Sequence, residues 1–209
     1  MKFSTFVDIL AVELKKPFDA VTKAIVTELI ISSREQLIRQ QYERDKSLPI
    51  NAIVSTCFTL ELKPSMDCCE LDLGCQFLRT VDKIPLPIDI KDNTLFNYVG
   101  GMTGMVGFTY LKPDEIGKVR YRKFSRNNIF YTWINQRIVI INSVTLEEVK
   151  VRYAPANPLE LAEISNCSGK PCYNLEDELF IEGHWEDAIT KMILPKLMNV
   201  PEEQIVVDK

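Results

Sequence analysis

Few side chains in this sequence are of a type and spacing that supports catalysis. The chain has one histidine, His184. Serine–histidine, cysteine–histidine and two-histidine metal sites all need that residue, or need more than it. It stands beside Gly183 and Trp185, just ahead of a helical pattern, where a surface or capping role is the ordinary one. The six cysteines are Cys57, Cys68, Cys69, Cys75, Cys167 and Cys172. Structural zinc sites pair their ligands over short spacers. Cys69–Cys75 and Cys167–Cys172 approach that pattern loosely, and adjacent Cys68 and Cys69 would point to opposite faces of a strand. Small buried apolar side chains are the simpler account. Carboxylates are numerous, but none belongs to a recognisable catalytic constellation. The sequence therefore predicts neither an enzyme nor a cofactor or metal site.

Two further stretches have distinctive chemistry. Gly100-Gly-Met-Thr-Gly-Met-Val-Gly107 is glycine-rich, but it lacks the Gly-Lys-Ser/Thr ending of a phosphate loop and no helix follows it. It reads as a mobile loop or as a strand with close backbone approach. Met102, Met105 and Val106 are unusually apolar for a free loop and suit packing on a partner. The segment Lys118–Arg126 mixes cations with Tyr121 and Phe124. That composition suits either single-strand binding by stacking and charge or, more simply, a half-buried strand with a charged outer face.

Net charge is -4 over 209 residues, which gives no general drive toward nucleic acid. Its distribution is uneven. Residues 112–126 carry six Lys or Arg against Asp114 and Glu115, whereas from Glu160 onward eleven acidic residues face four lysines. Opposed patches of this kind suit contacts between neighbouring copies, or an ordinary solvated surface. No run approaches the ~20 apolar residues of a membrane span, and Asp8 and Glu13 interrupt the N-terminal apolar run. A soluble protein made in a cytoplasm is expected, with its cysteines as thiols.

The elements that position these residues are helical at both ends. A short helix is expected over Ser4–Lys16, capped by Ser4 or Thr5. Pro17 then suits the first turn of a long helix, Phe18–Asp45. At roughly 28 residues and the standard rise it would span about 40 Å. Its first half, Phe18–Ile31, is apolar at helical steps (Phe18, Val21, Ala24, Ile25, Leu29), with Val26, Ile30 and Ile31 widening the stripe, and is expected to pack in a core. Its second half (Arg34, Glu35, Arg39, Gln40, Glu43) is polar and is expected to face solvent or a neighbouring subunit.

Strands are expected over Ala52–Leu62, Val119–Phe124 and Leu146–Tyr153, with a less cleanly alternating one over Cys69–Phe77. Ile84–Ile88 reads as extended, with two prolines that exclude a central strand. Ile129–Trp133 and Arg137–Ile141 form the clearest hairpin, with Asn135 the expected residue at positive φ. One or two helical turns at Leu159–Ile164 precede a C-terminal helix over Glu182–Met198, which Pro195 should kink or end. The fold class is α+β: an N-terminal helical pair and a C-terminal helix packed together, with a β-rich, sandwich- or barrel-like insertion. One domain is expected, with subregions at 1–48, 49–153 and 154–209.

This layout resembles the head-to-tail connector proteins of short-tailed phages, the adaptor or tail tubular A-like, tail-stabilising family, and in particular its version in crAss-like phages. Three features carry the resemblance: the helical pair ending near Ser47-Leu48-Pro49, the aromatic hairpin Asn128–Asn142, and Tyr173–Leu179 followed by an amphipathic helix to Leu197. The resemblance implies a virion protein without catalysis. It implies a homo-oligomeric ring, commonly of twelve copies, that docks on the portal protein. Such a ring lines part of the double-stranded DNA channel and receives the next tail ring protein. The cysteines and the glycine-rich stretch depart from the family. In a ring each contact joins two different faces, so Arg120, Arg122 and Lys123 on one face and the acidic tail on another form a candidate pair. Arg34, Glu35, Arg39, Gln40, Glu43, Met102 and Met105 complete the candidate interface. Two alternatives stand beside this one: another ring or tail-hub component of the same particle, and a glycan-binding β-domain with Tyr121, Tyr131 and Trp133 as an aromatic platform.

Overall fold

The computed structural model describes residues 1–64, 76–90, 96–116, 128–165, 171–174, 177–178, 181 and 184–198. The chain forms two compact units. One is helical, from Met1–Ile53, Ala156–Leu159 and the chain from Tyr173 on. The other is β-rich, from Val54–Pro155 and Glu160–Cys172.

In the helical unit, α1 (Phe3–Glu13), α2 (Ala20–Asp45) and α3 (Trp185–Met198) are the principal elements, and α2 packs on both of the others. The buried line of α2 advances in strict four-residue steps: Thr22, Val26, Ile30, Arg34, Ile38. Side chains so spaced stack along one helix face. Opposite them lie Phe3, Phe6, Val7, Leu10 and Ala11 of α1, and Trp185, Ile189 and Ile193 of α3. The extended N-terminus is pinned as well. Lys2 bridges Glu178, the Phe3 N–H donates to the Asp177 carbonyl at 3.1 Å, and the terminal amine meets Glu186 at 3.1 Å.

Two local expectations change. The cap of α1 is Lys2, with no side-chain hydrogen bond, rather than Ser4 or Thr5. The start of α2 is set by Asp19 rather than Pro17: its carboxylate accepts from the Val21 and Thr22 N–H groups, both at 3.2 Å, and so satisfies two of the orphan donors of the first turn. At the other end Lys46 turns left-handed (φ 53°) and closes the helix on the Tyr42 carbonyl. Pro195 lies inside α3, which continues to Met198.

The β-rich unit is a seven-stranded, nearly closed barrel-like sheet in the order β3-β7-β1-β2-β6-β5-β4. The strands are β1 (Val54–Pro64), β2 (Gln76–Thr80), β3 (Tyr98–Gly100), β4 (Thr109–Tyr110), β5 (Phe130–Ile134), β6 (Arg137–Ile141) and β7 (Glu148–Tyr153). All pairs are antiparallel except β4–β5. The first half of β1 pairs with β7 and its second half with β2, so this one strand turns the sheet. The hairpin β5–β6 turns through Asn135 (φ 51°) and Gln136 (φ 60°), the doubly left-handed turn whose twist matches the flanking strands. Both faces of these strands are buried. Phe130, Val139 and Ile141 cluster with Phe77, Leu111 and Ile116, while Tyr131, Ile138 and Ile140 alternate to the other face.

The glycine-rich stretch closes this sheet. The terminal strands β3 and β4 come together where the Phe108 N–H donates to the Val99 carbonyl at 2.7 Å and Gly100 bridges Gly107. Bringing edge strands together hides backbone groups that would otherwise template pairing with other chains. A side chain at Gly100 would run into the Val106 carbonyl and the Tyr98 ring, so this crossing accepts only glycine.

The cysteines also change. Cys57, on β1, is disulfide-bonded, which corrects the expectation of six thiols. The compartment argument concerns where a chain is made, not which sulfurs its fold brings together. Cys172 is a free thiol, pushed up in pKa by burial. Cys68, Cys69, Cys75, Cys167 and the expected strand Val119–Phe124 lie outside the described residues.

Candidate subunit interface

Among the described residues, the features that stand out are exposed apolar surfaces rather than a reactive centre. The first is on the helical unit. Phe18, just before α2, is 95% exposed, and Val21 and Ile25 (38%) follow it at helical steps. Ala24, Ile25, Thr27, Glu28 and Leu29 line a shallow groove of about 450 Å³. On α1, Ile9 and Val12 are exposed as well. A salt bridge, Lys23 Nζ to Asp8 Oδ1 at 2.7 Å, ties the two helices together.

This reverses the sequence reading of α2. The apolar first half does not simply pack inward, because only one of its two apolar lines does. Nor is the second half simply solvated. Ser33, Arg34 and Ile38 are fully buried, so Arg34 does not lie on an exposed face. It falls on the same four-residue line as Val26 and Ile30. Burial pulls the Arg34 guanidinium down to about 10, opposed by the neighbouring Tyr173 and Glu35. Burial in turn pushes the Tyr173 hydroxyl up to about 12. The other polar candidates are at the surface. Arg39 Nη2 meets Glu35 Oε1 at 2.6 Å, an i,i+4 pair, and Gln40 and Glu43 are exposed.

The second surface is the tip of the closing loop in the β-rich unit. Met105 is 88% exposed, Val106 is 60% exposed, and Met102 is at the surface beside them. The loop has an internal frame. The Tyr98 hydroxyl donates to the Val106 carbonyl at 2.9 Å, and the Gly101 N–H reaches the same oxygen at 3.0 Å. The Gly104 N–H donates to the Gly101 carbonyl at 3.0 Å, and Gly104 takes a left-handed φ of 75°. Arg152 stacks over the Tyr98 ring, 5.5 Å from its centroid. Arg120, Arg122 and Lys123 lie outside the described residues.

The aromatic platform expected of a glycan binder is not presented. Tyr131 is buried, and Phe96 packs edge-on against it, against Trp133 at 5.0 Å and against Tyr153 at 5.8 Å. These rings fill the β-rich unit, as edge-to-face clusters do in protein cores. Tyr121 lies outside the described residues. A cavity of about 620 Å³ in the same unit is lined by Thr59, Lys83, Gln136, Glu160 and Glu163 among others. Its charges are of both signs. His184 is exposed, with its ring edge-on to Trp185.

Sequence reasoning missed the exposure of Phe18, Val21 and Ile25. The available signal was that α2 carries two apolar lines, more than one packed face requires.

No curated protein matches this chain. A family model described as phage tail ring protein 2, from crAss-like phages, matches residues 5–206. That match spans both units and nearly the whole chain, so the protein belongs to this family of phage tail ring proteins and is a structural ring component of the virion.

Proposed function

We propose that this chain is the subunit of a head-to-tail adaptor ring. A ring of twelve copies docks beneath the portal protein, surrounds the channel through which double-stranded DNA passes without sequence-specific contacts, and receives the next tail ring protein. Assembly takes place in the host cytoplasm. The observation that supports this reading is the uncovered apolar line Phe18–Val21–Ile25 along a helix whose other line is already packed. Exposed apolar surface of this kind marks a site for another protein, and a ring subunit has a neighbour on each side. The charged surface formed by Glu35, Arg39, Gln40 and Glu43, with the basic segment holding Arg120, Arg122 and Lys123, is assigned to the portal or to an adjoining copy.

The test is the native mass of the full-length protein, alone and mixed with the portal. A monomer that becomes a ring on the portal supports the reading. A ring that forms but binds only a distal tail component instead favours the runner-up, another ring or hub component of the same particle. A protein that stays monomeric with every tail partner overturns both.

A further inference from the structure

We propose that the tip of the glycine-rich loop (Met102, Met105, Val106) of one copy seats in the groove of α2 lined by Ala24, Ile25, Thr27, Glu28 and Leu29 of the next copy. This rests on the ring reading above and names the surfaces that make the ring.

The loop is built as a projecting apolar knob. Loop tips are usually polar and mobile. This one exposes two methionines and a valine, and Gly100–Phe108 contains no charged residue. Its frame is fixed from within. Tyr98 holds the Val106 and Gly101 carbonyls, Gly101 and Gly104 add backbone bonds, and Gly100 permits the crossing. A loop already ordered in its presenting shape loses little entropy on docking. Methionine side chains, unbranched and polarisable, fill irregular apolar grooves.

The groove is the complement. Ala24, Ile25 and Leu29 give it an apolar lining, and Val21 and Phe18 continue the exposed apolar line beyond it. The residues of the tip are themselves uncharged, and the charges nearest the contact, Glu28 lining the groove and the Arg152 guanidinium beside Gly104, are of opposite sign. The occupant follows from the symmetry. In a cyclic ring every contact joins two different patches of the same chain, whereas a single self-complementary patch would close as a two-fold dimer. Here one chain carries two unlike, uncovered apolar features, a knob on the β-rich unit and a groove on the helical unit. A second copy therefore satisfies both at once.

The experiment uses the full-length chain with Met105 replaced by photoreactive p-benzoyl-phenylalanine, mixed with isotopically heavy wild-type chain and assembled on the portal if assembly needs it. After irradiation, mass spectrometry is expected to find position 105 of the light copy joined to residues 18–29 of the heavy copy. A ring of the right mass whose adducts fall within the same chain, on another surface of the neighbour, or on the portal overturns the inference and leaves the ring reading standing. Absence of any ring from the wild-type chain and its partners overturns the ring reading and this inference with it. A second measurement removes dependence on the bulky probe. Met105→Asp and Ile25→Asp should each stay folded by circular dichroism and fail to assemble alone. Mixed together they should pair one to one, since one variant keeps its groove and the other keeps its loop. Folded variants that fail to pair when mixed, or either variant assembling like wild type, would refute the contact.

Discussion

Adding a single methyl group at Gly100 should destabilise the β-rich unit far more than adding one at Gly107, although the two glycines bridge each other. A Cβ at Gly100 overlaps the Val106 carbonyl oxygen on one side and the Tyr98 ring on the other. The first is backbone and cannot yield cheaply. The second can swing away only by giving up the hydroxyl proton that it shares between the Val106 and Gly101 carbonyls. Overpacking of this kind costs roughly 1–3 kcal/mol, and one shared hydrogen bond at about 1 kcal/mol brings the expected loss to about 2–4 kcal/mol. At Gly107 the nearest atom, Tyr98 Cε2, is 3.5 Å from the added Cβ, an ordinary contact. Gly107→Ala should therefore change stability by no more than about 1 kcal/mol. The two tryptophans fall in different units, Trp133 on β5 and Trp185 on α3. In a Trp185→Phe background, fluorescence during urea unfolding reports the β-rich unit alone. Gly100→Ala should also speed hydrogen exchange at Phe108, whose N–H spans the closure to Val99. Equal urea midpoints for the two alanine variants, or unchanged Phe108 exchange in Gly100→Ala, would mean that the closure does not depend on the close approach described here.

Arg34→Met should stabilise the helical unit. Burial pulls the guanidinium from 12.5 to about 10, and at about 1.4 kcal/mol per pKa unit the charge is held at a cost of about 3 kcal/mol, which an apolar side chain of similar length avoids. Urea unfolding followed by Trp185 in a Trp133→Phe background measures this, and a net loss of more than about 1 kcal/mol would show that the partners of Arg34 outweigh its burial. Ile30→Ala should cost about 2–5 kcal/mol in the same assay, whereas Ile25→Asp should leave the far-ultraviolet circular dichroism and urea midpoint of the monomer nearly unchanged; the opposite ranking would put the wrong line of α2 in the core. Asp19 is held below its ordinary value of 3.8, chiefly by the Thr22 hydroxyl. Its folded pKa is therefore the lower one, so the stability it lends α2 is present above that ordinary value and is lost as pH falls through the folded value. Amide exchange at Val21 and Thr22, corrected for its intrinsic pH dependence, should show that loss on acidification, and Asp19→Asn, which keeps a capping oxygen, should flatten it.

What the sequence made legible follows from where the physics is local. The β5–β6 hairpin was readable because two apolar runs flanking a short turn with Asn135 are a property of about a dozen consecutive residues, although Gln136 is left-handed there as well. Trp185, Ile189 and Ile193 give α3 its face in the same way, and β7 likewise shows alternating burial. The start of α2 was misplaced because two valid signals compete within three residues. Pro17 suits a first turn, but Asp19 can accept two backbone N–H groups, and satisfying donors decides the boundary. The closure of the sheet was hidden for another reason. The glycine-rich stretch read equally as a loop or as a strand with close backbone approach, and the second reading holds at Gly100 only because Val99 and Phe108 are the facing ends of a sheet whose other strands lie far along the chain. Pairing of β4 with β5 involves two residues on each side and has no sequence signature.

The error on α2 is the most informative, because it concerns what an apolar residue means in an assembly subunit. Val21 and Ile25 lie one position before Thr22 and Val26, so the two lines are about 100° apart on the helix. Hydrophobic patterning records that both must leave water. It does not record whether the cover comes from α1 and α3 of the same copy or from another molecule. In a monomeric protein the distinction is idle, since every apolar line has to be buried within one chain. In a ring it separates folding from assembly. The line that continues through Arg34 to Ile38 is occupied within the subunit, and the line through Phe18, Val21 and Ile25 is not. The polar composition after Ser32 was therefore a poor guide to the outer surface. A buried arginine sits in the fold while a phenylalanine stands in solvent. Both placements become physically coherent once the helix is taken to have one partner within its own chain and another in its neighbour.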